Sequence, residues 1–229
     1  MEGREPDQDA PQRPQRAADY PGEVILAVDT SLGTAVAIVD ADGRRRADAS
    51  SPDPLGHAEV VGTLLQRALA EAGDEITHVV AGMGPGPFTG LRIGIATARA
   101  FALGRGIDVI AVPSHFGAAL AVLEENPQIG TFAIVTDARR REVAISLFRG
   151  LDDDGIPHLT SETVLVPRTG AEAYLDGLDG REVTTLDGAA LARVGIRAAH
   201  AGRELVGAEP LYLRQPDVTM PGAPKRVGL

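Results

Sequence analysis

The segment GMGPGPFTGLRIG at residues 82–94 is the feature that most constrains the fold, because it holds five glycines and two prolines. An apolar stretch at 79–81 precedes it, and an apolar, alanine-rich stretch at 91–103 follows it. This order predicts a turn from a strand into a helix. Glycines at such a turn let the backbone approach an anion or another chain segment closely. A tight connection without a ligand is the alternative interpretation.

Two well-known phosphate-binding loops do not match this segment. A P-loop requires Lys and then Ser or Thr after its last glycine, whereas Gly90 is followed by Leu91 and Arg92. A dinucleotide-binding turn requires GxGxxG and an acidic residue about twenty positions later, and Gly82, Gly84 and Gly86 do not give that spacing. The loop therefore belongs to neither class.

Composition excludes several functional classes. The chain of 229 residues is 44% hydrophobic and only 3% aromatic, so its core is built from aliphatic side chains and it lacks a base-stacking surface. It has no Cys, which excludes disulfides, thiol nucleophiles and cysteine-ligated zinc. A net charge of −10 disfavours independent nucleic-acid binding. No long apolar run or apolar leader is present, so we expect a cytoplasmic protein that does not enter membranes.

Hydrophobic periodicity predicts the order β-β-β-α-β-α-β for the first half of the chain. The predicted strands are 24–29, 34–39, 45–50, 79–82 and 109–112, and the predicted helices are 57–72 and 89–103. Residues 1–22 and 218–229 are rich in Pro and polar residues, and we expect both to be flexible tails.

A weak internal repeat divides the chain. Each half opens with an apolar strand that ends in Asp, at Asp29 and at Asp137, followed by a polar turn and a second apolar strand. This repeat predicts an α/β protein with a two-lobed ribonuclease-H-like or actin-like (ASKHA) fold, each lobe a mixed sheet flanked by helices. We place the first lobe at 23–112 and the second at 113–217, with the C-terminal part of the second returning to the first.

Several motifs resemble the TsaB (YeaZ) family, a relative of TsaD. They are ILAVDTS at 25–31, HAE at 57–59, GPGPFTGLRIGI at 84–95, DAR at 137–139 with EV at 142–143, and PLYLR at 210–214. The resemblance implies a scaffold or activating subunit of the complex that transfers threonylcarbamoyl from threonylcarbamoyl-AMP to N6 of the adenosine next to the anticodon, in tRNAs reading ANN codons. The implied partners are a TsaD-like catalytic subunit, a TsaE-like ATPase, tRNA through the complex, and a second copy of the chain when it is alone.

Both predicted helices have apolar faces that are wider than one packing stripe, which favours a partner-binding surface. In the family these helices pair with TsaD, and the alternative is that the chain covers them itself. The predicted partner-binding residues are His57, Val60, Val61, Leu64, Leu65, Ala68, Arg92, Ile95, Ala98, Arg99 and Ala102. The predicted structural loop comprises Gly84, Pro85, Gly86, Phe88, Thr89 and Gly90.

The sequence offers little catalytic machinery. TsaD relatives carry a His-x-x-x-His metal pair, but here the second position is Ala119, so we expect no metal site and interpret His115 as a remnant or a surface histidine. Asp29, Thr30, Ser31 and Asp137 are candidate phosphate contacts, or turn residues that satisfy nearby amides. We expect no catalytic residue and no required cofactor, with ATP or ADP and Mg²⁺ acting only at the level of the complex.

Two functions remain as alternatives to the scaffold: a nucleotide-binding enzyme of the actin-like ATPase class, and a TsaD-like metallopeptidase or glycoprotease homologue. The cluster Arg139, Arg140 and Arg141 stands out against the acidic background. It could contact tRNA phosphate or an acidic partner, although solvated charges at a turn are the simpler interpretation.

Overall fold

The computed structural model describes residues 22–53, 56–73 and 75–214. The predicted tails, apart from Gly22, lie outside the described residues. Within the described ranges, no helix is both long and apolar enough to cross a membrane.

The strands and helices of the first half of the chain follow the predicted order, β-β-β-α-β-α-β. The strands are β1 (Val24–Asp29), β2 (Thr34–Asp40), β3 (Arg45–Ser51), β4 (His78–Gly82), β5 (Val109–Val112), β6 (Thr131–Asp137), β7 (Glu142–Leu151), β8 (Pro157–Leu159), β9 (Val164–Pro167) and β10 (Asp179–Glu182). The helices are α1 (His57–Ala72), α2 (Phe88–Arg105), α3 (Ser114–Glu125), α4 (Ala171–Leu175) and α5 (Gly188–His200).

The first sheet has the order β3-β2-β1-β4-β5. β2 is antiparallel to both β1 and β3, while β4 and β5 continue the sheet in parallel. Every residue of β1 and β2 is buried, because helices cover both faces of the sheet. Leu26 and Val28 pack with α1 and α2, whereas Ile25 and Ala27 pack with α3 and α5. Successive side chains of a strand point to opposite faces, so the apolar side chains of β1 alternate between two cores.

The second sheet has the order β10-β6-β7-β8, and β9 also pairs with β7. β6 and β7 form an antiparallel hairpin, and β10 runs parallel to β6. From this sheet, Phe148 packs edge-on against Phe116 of α3 with ring centroids 5.3 Å apart, and it stacks on Phe132 with ring centroids 6.1 Å apart. On the opposite face, Val135 and Ile145 form a smaller cluster near α4.

Helix α5 follows the second sheet in sequence but packs on the first. It begins at an Asp187 cap, whose Oδ1 accepts from the amides of Ala189 (2.8 Å) and Ala190 (3.2 Å). A Cβ on Gly195 would overlap Val80 of β4, so the helix lies directly against the strand. One core cluster consequently joins residues of both lobes.

Candidate functional site

The turn between β1 and β2 is buried at the edge of the first sheet. Asp29 Oδ1 accepts hydrogen bonds from the Ser31 amide (2.7 Å) and the Ser31 hydroxyl (2.6 Å), and Oδ2 accepts from the Ser114 hydroxyl. Asp29 is only 1% exposed, and this burial raises its pKa against the opposing effect of the hydrogen bonds from Ser114 and Ser31. The carboxylate therefore organises the turn from inside the protein.

The glycines of the loop make room for this turn. A Cβ on Gly82 would overlap the Asp29 carboxylate, and one on Gly86 would lie 2.8 Å from the Cα of Ser31. A Cβ on Gly94 would overlap the hydroxyl of Thr30, which donates to the carbonyl of Gly90 at 2.6 Å. The candidate phosphate contacts of the first turn are therefore hydrogen-bonded within the turn or to the loop. This arrangement agrees with the interpretation that these residues satisfy nearby amides.

Ser114 is a buried contact of this turn that the sequence analysis did not predict. It is fully buried at the start of α3, and besides donating to Asp29 its hydroxyl accepts from the Gly84 amide at 2.9 Å. Its own amide donates to the carbonyl of Gly84 at 2.7 Å. The only local signal was a serine at a predicted strand-to-helix junction after Pro113, a common position for a helix-start hydroxyl.

The corresponding turn of the second lobe is open to solvent. Asp137 accepts from Arg168 Nη2 at 2.9 Å, and Arg168 also donates to Glu182 at 3.0 Å. These two carboxylates raise the pKa of the Arg168 guanidinium. The residues after Asp137 include three consecutive arginines, 139–141, with φ values of 60°, 52° and 63°. Such left-handed conformations are strained for residues other than glycine.

His115 is a buried core residue, so its interpretation as a surface histidine is wrong, while its interpretation as a remnant is not affected. Its Nδ1 lies 2.6 Å from the Ser146 hydroxyl, and its Nε2 lies 2.9 Å from the Thr136 hydroxyl. Burial lowers the pKa of His115 to about 3. The ring is therefore neutral and joins α3 to the second sheet. Within the described residues, no group of three or more His, Asp or Glu side chains could hold a metal ion.

A cleft of about 560 Å³ separates the loop from the second turn. One wall comprises His57 and the segment 85–90, and the opposite wall comprises residues 136–140. Segment 212–214 closes one side. The structure therefore brings most of the predicted loop and the candidate phosphate residue Asp137 to one cleft, while Asp29, Thr30 and Ser31 lie outside its lining.

The C-terminal PLYLR segment packs onto the start of α2. Tyr212 stacks on Phe88 with ring centroids 4.7 Å apart, and the Arg92 guanidinium lies 3.8 Å from the centroid of Phe88. The Leu211 amide donates to the carbonyl of Met83 at 2.8 Å, and Arg99 donates to the carbonyl of Ala208. Arg92 and Arg99, both predicted to contact a partner, thus also anchor this segment within the chain.

Many of the predicted partner-binding side chains are covered by the chain itself. Those that are buried are His57, Val61, Leu64, Ala68, Ile95, Ala98 and Ala102. Val60 and Leu65 are half-buried, and Arg92 and Arg99 are exposed. The wide apolar faces are explained by α1 and α2 packing both on the sheet and on each other. A side chain in that core cannot reach a partner without opening it, so any docking surface lies on the outer faces of the helices.

Comparisons with known proteins agree with this architecture. The TsaD family model, described as tRNA N6-adenosine threonylcarbamoyltransferase, matches residues 55–156. The chain is 32% identical to the tRNA threonylcarbamoyladenosine biosynthesis protein TsaB of Escherichia coli, over 70% of this chain and 69% of that protein. YeaZ from Pseudomonas aeruginosa has the same fold, with a TM-score of 0.69 and 22% identity over 83% of this chain and all of that one.

Some relatives are longer than the part that matches. An uncharacterized protein of Mycobacterium leprae is 36% identical over 64% of this chain, and the match spans 41% of that protein's length. Two mixed sheets flanked by helices give the chain a two-lobed, actin-like α/β fold. Because its sequence identity to the Escherichia coli protein extends over most of both proteins, the chain belongs to the TsaB (YeaZ) family.

Proposed function

We propose that the chain is a non-catalytic scaffold and activating subunit in the synthesis of threonylcarbamoyladenosine on tRNA. In this proposal it binds a TsaD-like catalytic subunit, which transfers threonylcarbamoyl to N6 of the adenosine next to the anticodon. Membership of the TsaB family and the name of the Escherichia coli relative, a tRNA threonylcarbamoyladenosine biosynthesis protein, support this role. The chain itself then requires no cofactor, and ATP, Mg²⁺ and the TsaE-like ATPase act at the level of the complex.

The observation that carries the proposed docking surface is a pair of adjacent helices with small residues on their outer sides. Gly62 lies in the middle of α1 and is exposed, and a Cβ added to it would meet no described residue outside its own stretch of the helix within 4 Å. An exposed glycine inside a helix costs about 1 kcal/mol relative to alanine. Since nothing in the described chain requires that glycine, close approach of a helix from another protein is a physical reason for it.

Helix α2 also exposes small residues and a leucine on its outer side, at Ala96, Ala100 and Leu103. Leu103 is 83% exposed, the highest value among the exposed large hydrophobic side chains of the described residues. Small residues flanked by an exposed leucine favour helix-to-helix docking of a partner, because backbones can approach and an apolar side chain becomes buried. We propose the same surface for self-association when the catalytic partner is absent.

The test is a tRNA threonylcarbamoylation assay reconstituted with the TsaD, TsaE and TsaC-type proteins of the same organism, with and without this chain. We expect product only in its presence. Gly62→Leu and Ala100→Glu should each lower product and TsaD binding more than about tenfold. Ala173→Glu, at an exposed alanine of α4, is the matched control and should leave both unchanged.

Equal product without the chain would refute the activating role. Undiminished TsaD binding by both helix variants would refute the proposed surface while leaving the role intact. Ala98 is unsuitable for this test, although it lies on α2, because its side chain is fully buried and a charge there would disrupt folding.

A further inference from the structure

The C-terminal strap, residues 203–214, contains neither helix nor strand, yet both of its ends are fixed to the second lobe. Arg203 donates to two carboxylates in the turn between β7 and β8, at 2.6 Å and 2.8 Å. At the other end, Arg214 forms an ion pair with Glu142 of β7. Between these two ends the strap crosses the first lobe, so its course is set by side-chain contacts and not by secondary structure.

The middle of the strap runs beside α2 and holds two of its arginines. Arg92 Nε donates to the Tyr212 hydroxyl at 3.0 Å, and Arg99 Nη2 donates to the carbonyl of Ala208. Tyr212 is itself fixed by stacking on Phe88, with ring centroids 4.7 Å apart. Two long cationic side chains are therefore held in defined positions, and they lose less conformational entropy when they bind a further group.

Neither Arg92 nor Arg99 has a carboxylate partner among the residues that the structure describes, although the chain carries a net charge of −10. Both side chains are exposed, and each uses one N–H group on the strap. A guanidinium has several N–H donors in a planar fork, and it binds a carboxylate through two of them in parallel. The donors that the strap does not use can therefore bind carboxylates from outside the chain.

The two arginines belong to one stripe of α2, which comprises Arg92, Ala96, Arg99 and Leu103, all of them exposed. Arg92 and Arg99 are close to two helical turns apart, which separates them by about 10 Å along the helix axis. Ala96 lies between them and lets another backbone approach, and Leu103 extends the stripe with an apolar side chain. A partner helix with two carboxylates about two turns apart complements this pattern in charge and in shape.

The stripe is poorly suited to a second copy of this chain. In a symmetric pair of copies joined through Ala96, Arg92 of one copy would lie opposite Arg99 of the other, and the like charges would repel. The exposed carboxylates of α1, Glu59 and Glu71, are about 18 Å apart along their helix, so they do not have the spacing of the two arginines. The arginine pair therefore favours an acidic partner over self-association.

We propose that Arg92 and Arg99, held in position by the strap, bind two carboxylates on a helix of the catalytic subunit and so select that subunit over a second copy of this chain. The inference rests on the proposed function, because it specifies what the docking surface selects. The strap is a positioning element, since it acts on the partner through the two guanidinium groups that it holds.

Isothermal titration with the TsaD-like subunit of the same organism, at about 50 mM and about 500 mM salt, tests the arginine pair. Arg92→Gln and Arg99→Gln should each weaken binding about five- to tenfold at low salt and less than about threefold at high salt, because salt screens exposed charges. Arg149→Gln removes the same charge at an exposed position of β7 and should change binding less than about twofold. Losses that do not shrink with salt, or an equal loss in Arg149→Gln, would overturn the pair.

Sedimentation equilibrium of the chain alone gives a result that a merely unfolded variant would not produce. Arg99→Gln removes a repulsive charge, so its self-association should be about two- to fivefold tighter than that of the wild type while its binding to the TsaD-like subunit is weaker. Unchanged or weaker self-association would overturn the selectivity.

The titration also separates this inference from the function on which it rests. Wild-type binding to the TsaD-like subunit that is insensitive to both glutamine variants would overturn the arginine contact and leave the scaffold role intact. A wild-type chain that does not bind the TsaD-like subunit at all would refute the proposed function and the carboxylate contact together.

A tyrosine variant tests the strap. Tyr212→Phe removes the hydroxyl that holds Arg92 but keeps the ring that stacks on Phe88, and it should weaken binding to the TsaD-like subunit about two- to threefold. Tyr174→Phe, at an exposed tyrosine of α4, is the matched control and should leave binding unchanged. Added to Arg92→Gln, Tyr212→Phe should cause no further loss, because its hydroxyl acts through that arginine. Additive losses would overturn the positioning role of the strap.

Discussion

The two lobes begin with the same hairpin, yet its turn is closed in one lobe and open in the other. Asp29 is buried beneath the glycine loop, whereas the side chain of Asp137 is 60% exposed and pairs with Arg168. The first turn uses Gly33 for its left-handed residue, and the second uses arginines 139–141. The difference shows that the burial and the charge pairing of a repeated local motif depend on the residues that pack against it.

Gly82→Ala should have the largest effect, because its Cβ would overlap the Asp29 carboxylate in the closed turn. We expect a loss of about 5 kcal/mol in the free energy of unfolding, or failure to fold. The control is Gly180→Ala in the second lobe, where the close contact of the Cβ, at 2.7 Å, would be with the movable end of the Leu175 side chain. Urea denaturation compares the two, and equal losses would show that the turn is not tightly closed.

His115 should make the free energy of unfolding depend on pH. Its pKa is lowered from 6.5 to about 3 in the folded chain, so only the unfolded chain gains the proton between these values. The stability it contributes is complete above pH 6.5 and is lost as pH falls toward 3, by roughly 4 kcal/mol. Urea midpoints between pH 7 and about 4.5 should fall more steeply for the wild type than for His115→Gln. Parallel profiles would contradict the assignment.

The titration of Asp29 should change the free energy of unfolding with pH in the opposite direction. Its pKa is raised above 3.8 in the folded chain, so the folded state binds the proton more tightly. The cost of burying the charge therefore disappears as pH falls through the raised pKa. Relative to wild type, Asp29→Asn should gain stability as pH rises through this window.

Asp29→Ala and Asp137→Ala compare the two turns directly. The first leaves the Ser31 amide and the hydroxyls of Ser31 and Ser114 without their buried acceptor, and should cost about 3 kcal/mol. The second removes an exposed ion pair and should cost less than about 1 kcal/mol. Thermal and urea unfolding measure both. Similar costs would mean that burial of the first turn contributes little.

Arg141→Gly should have the smallest effect and should be stabilising. Its φ of 63° suits glycine, so relief of strain should raise the free energy of unfolding by up to about 1 kcal/mol. Gly33→Ala gives the reverse comparison, since φ is 74° and a Cβ would lie 2.5 Å from the carbonyl oxygen of Ser51. A destabilised Arg141→Gly would indicate that this side chain has a structural role.

Much of the first lobe could be predicted because its signals are local. The predicted strand 109–112 and helix 57–72 match β5 and α1, and helix 89–103 falls within α2. The burial of His115 was not predictable, because its partners Ser146 and Thr136 lie on β7 and β6, away from its own helix. The same holds for Tyr212, which reaches Phe88 from the far end of the chain.

The sequence by itself determined the strand and helix pattern of the first half of the chain, the duplicated hairpin and the family resemblance, because periodicity, glycine spacing and the GPGPFTG motif are encoded locally. Only the tertiary structure decided which turn is buried, which helix faces are free and which residues line the cleft. Asp29 and Asp137 have similar local sequences, and their environments differ because Gly82 and Ser114 close around one and not the other. Contacts between residues far apart in the chain carry that information, and no local pattern records them.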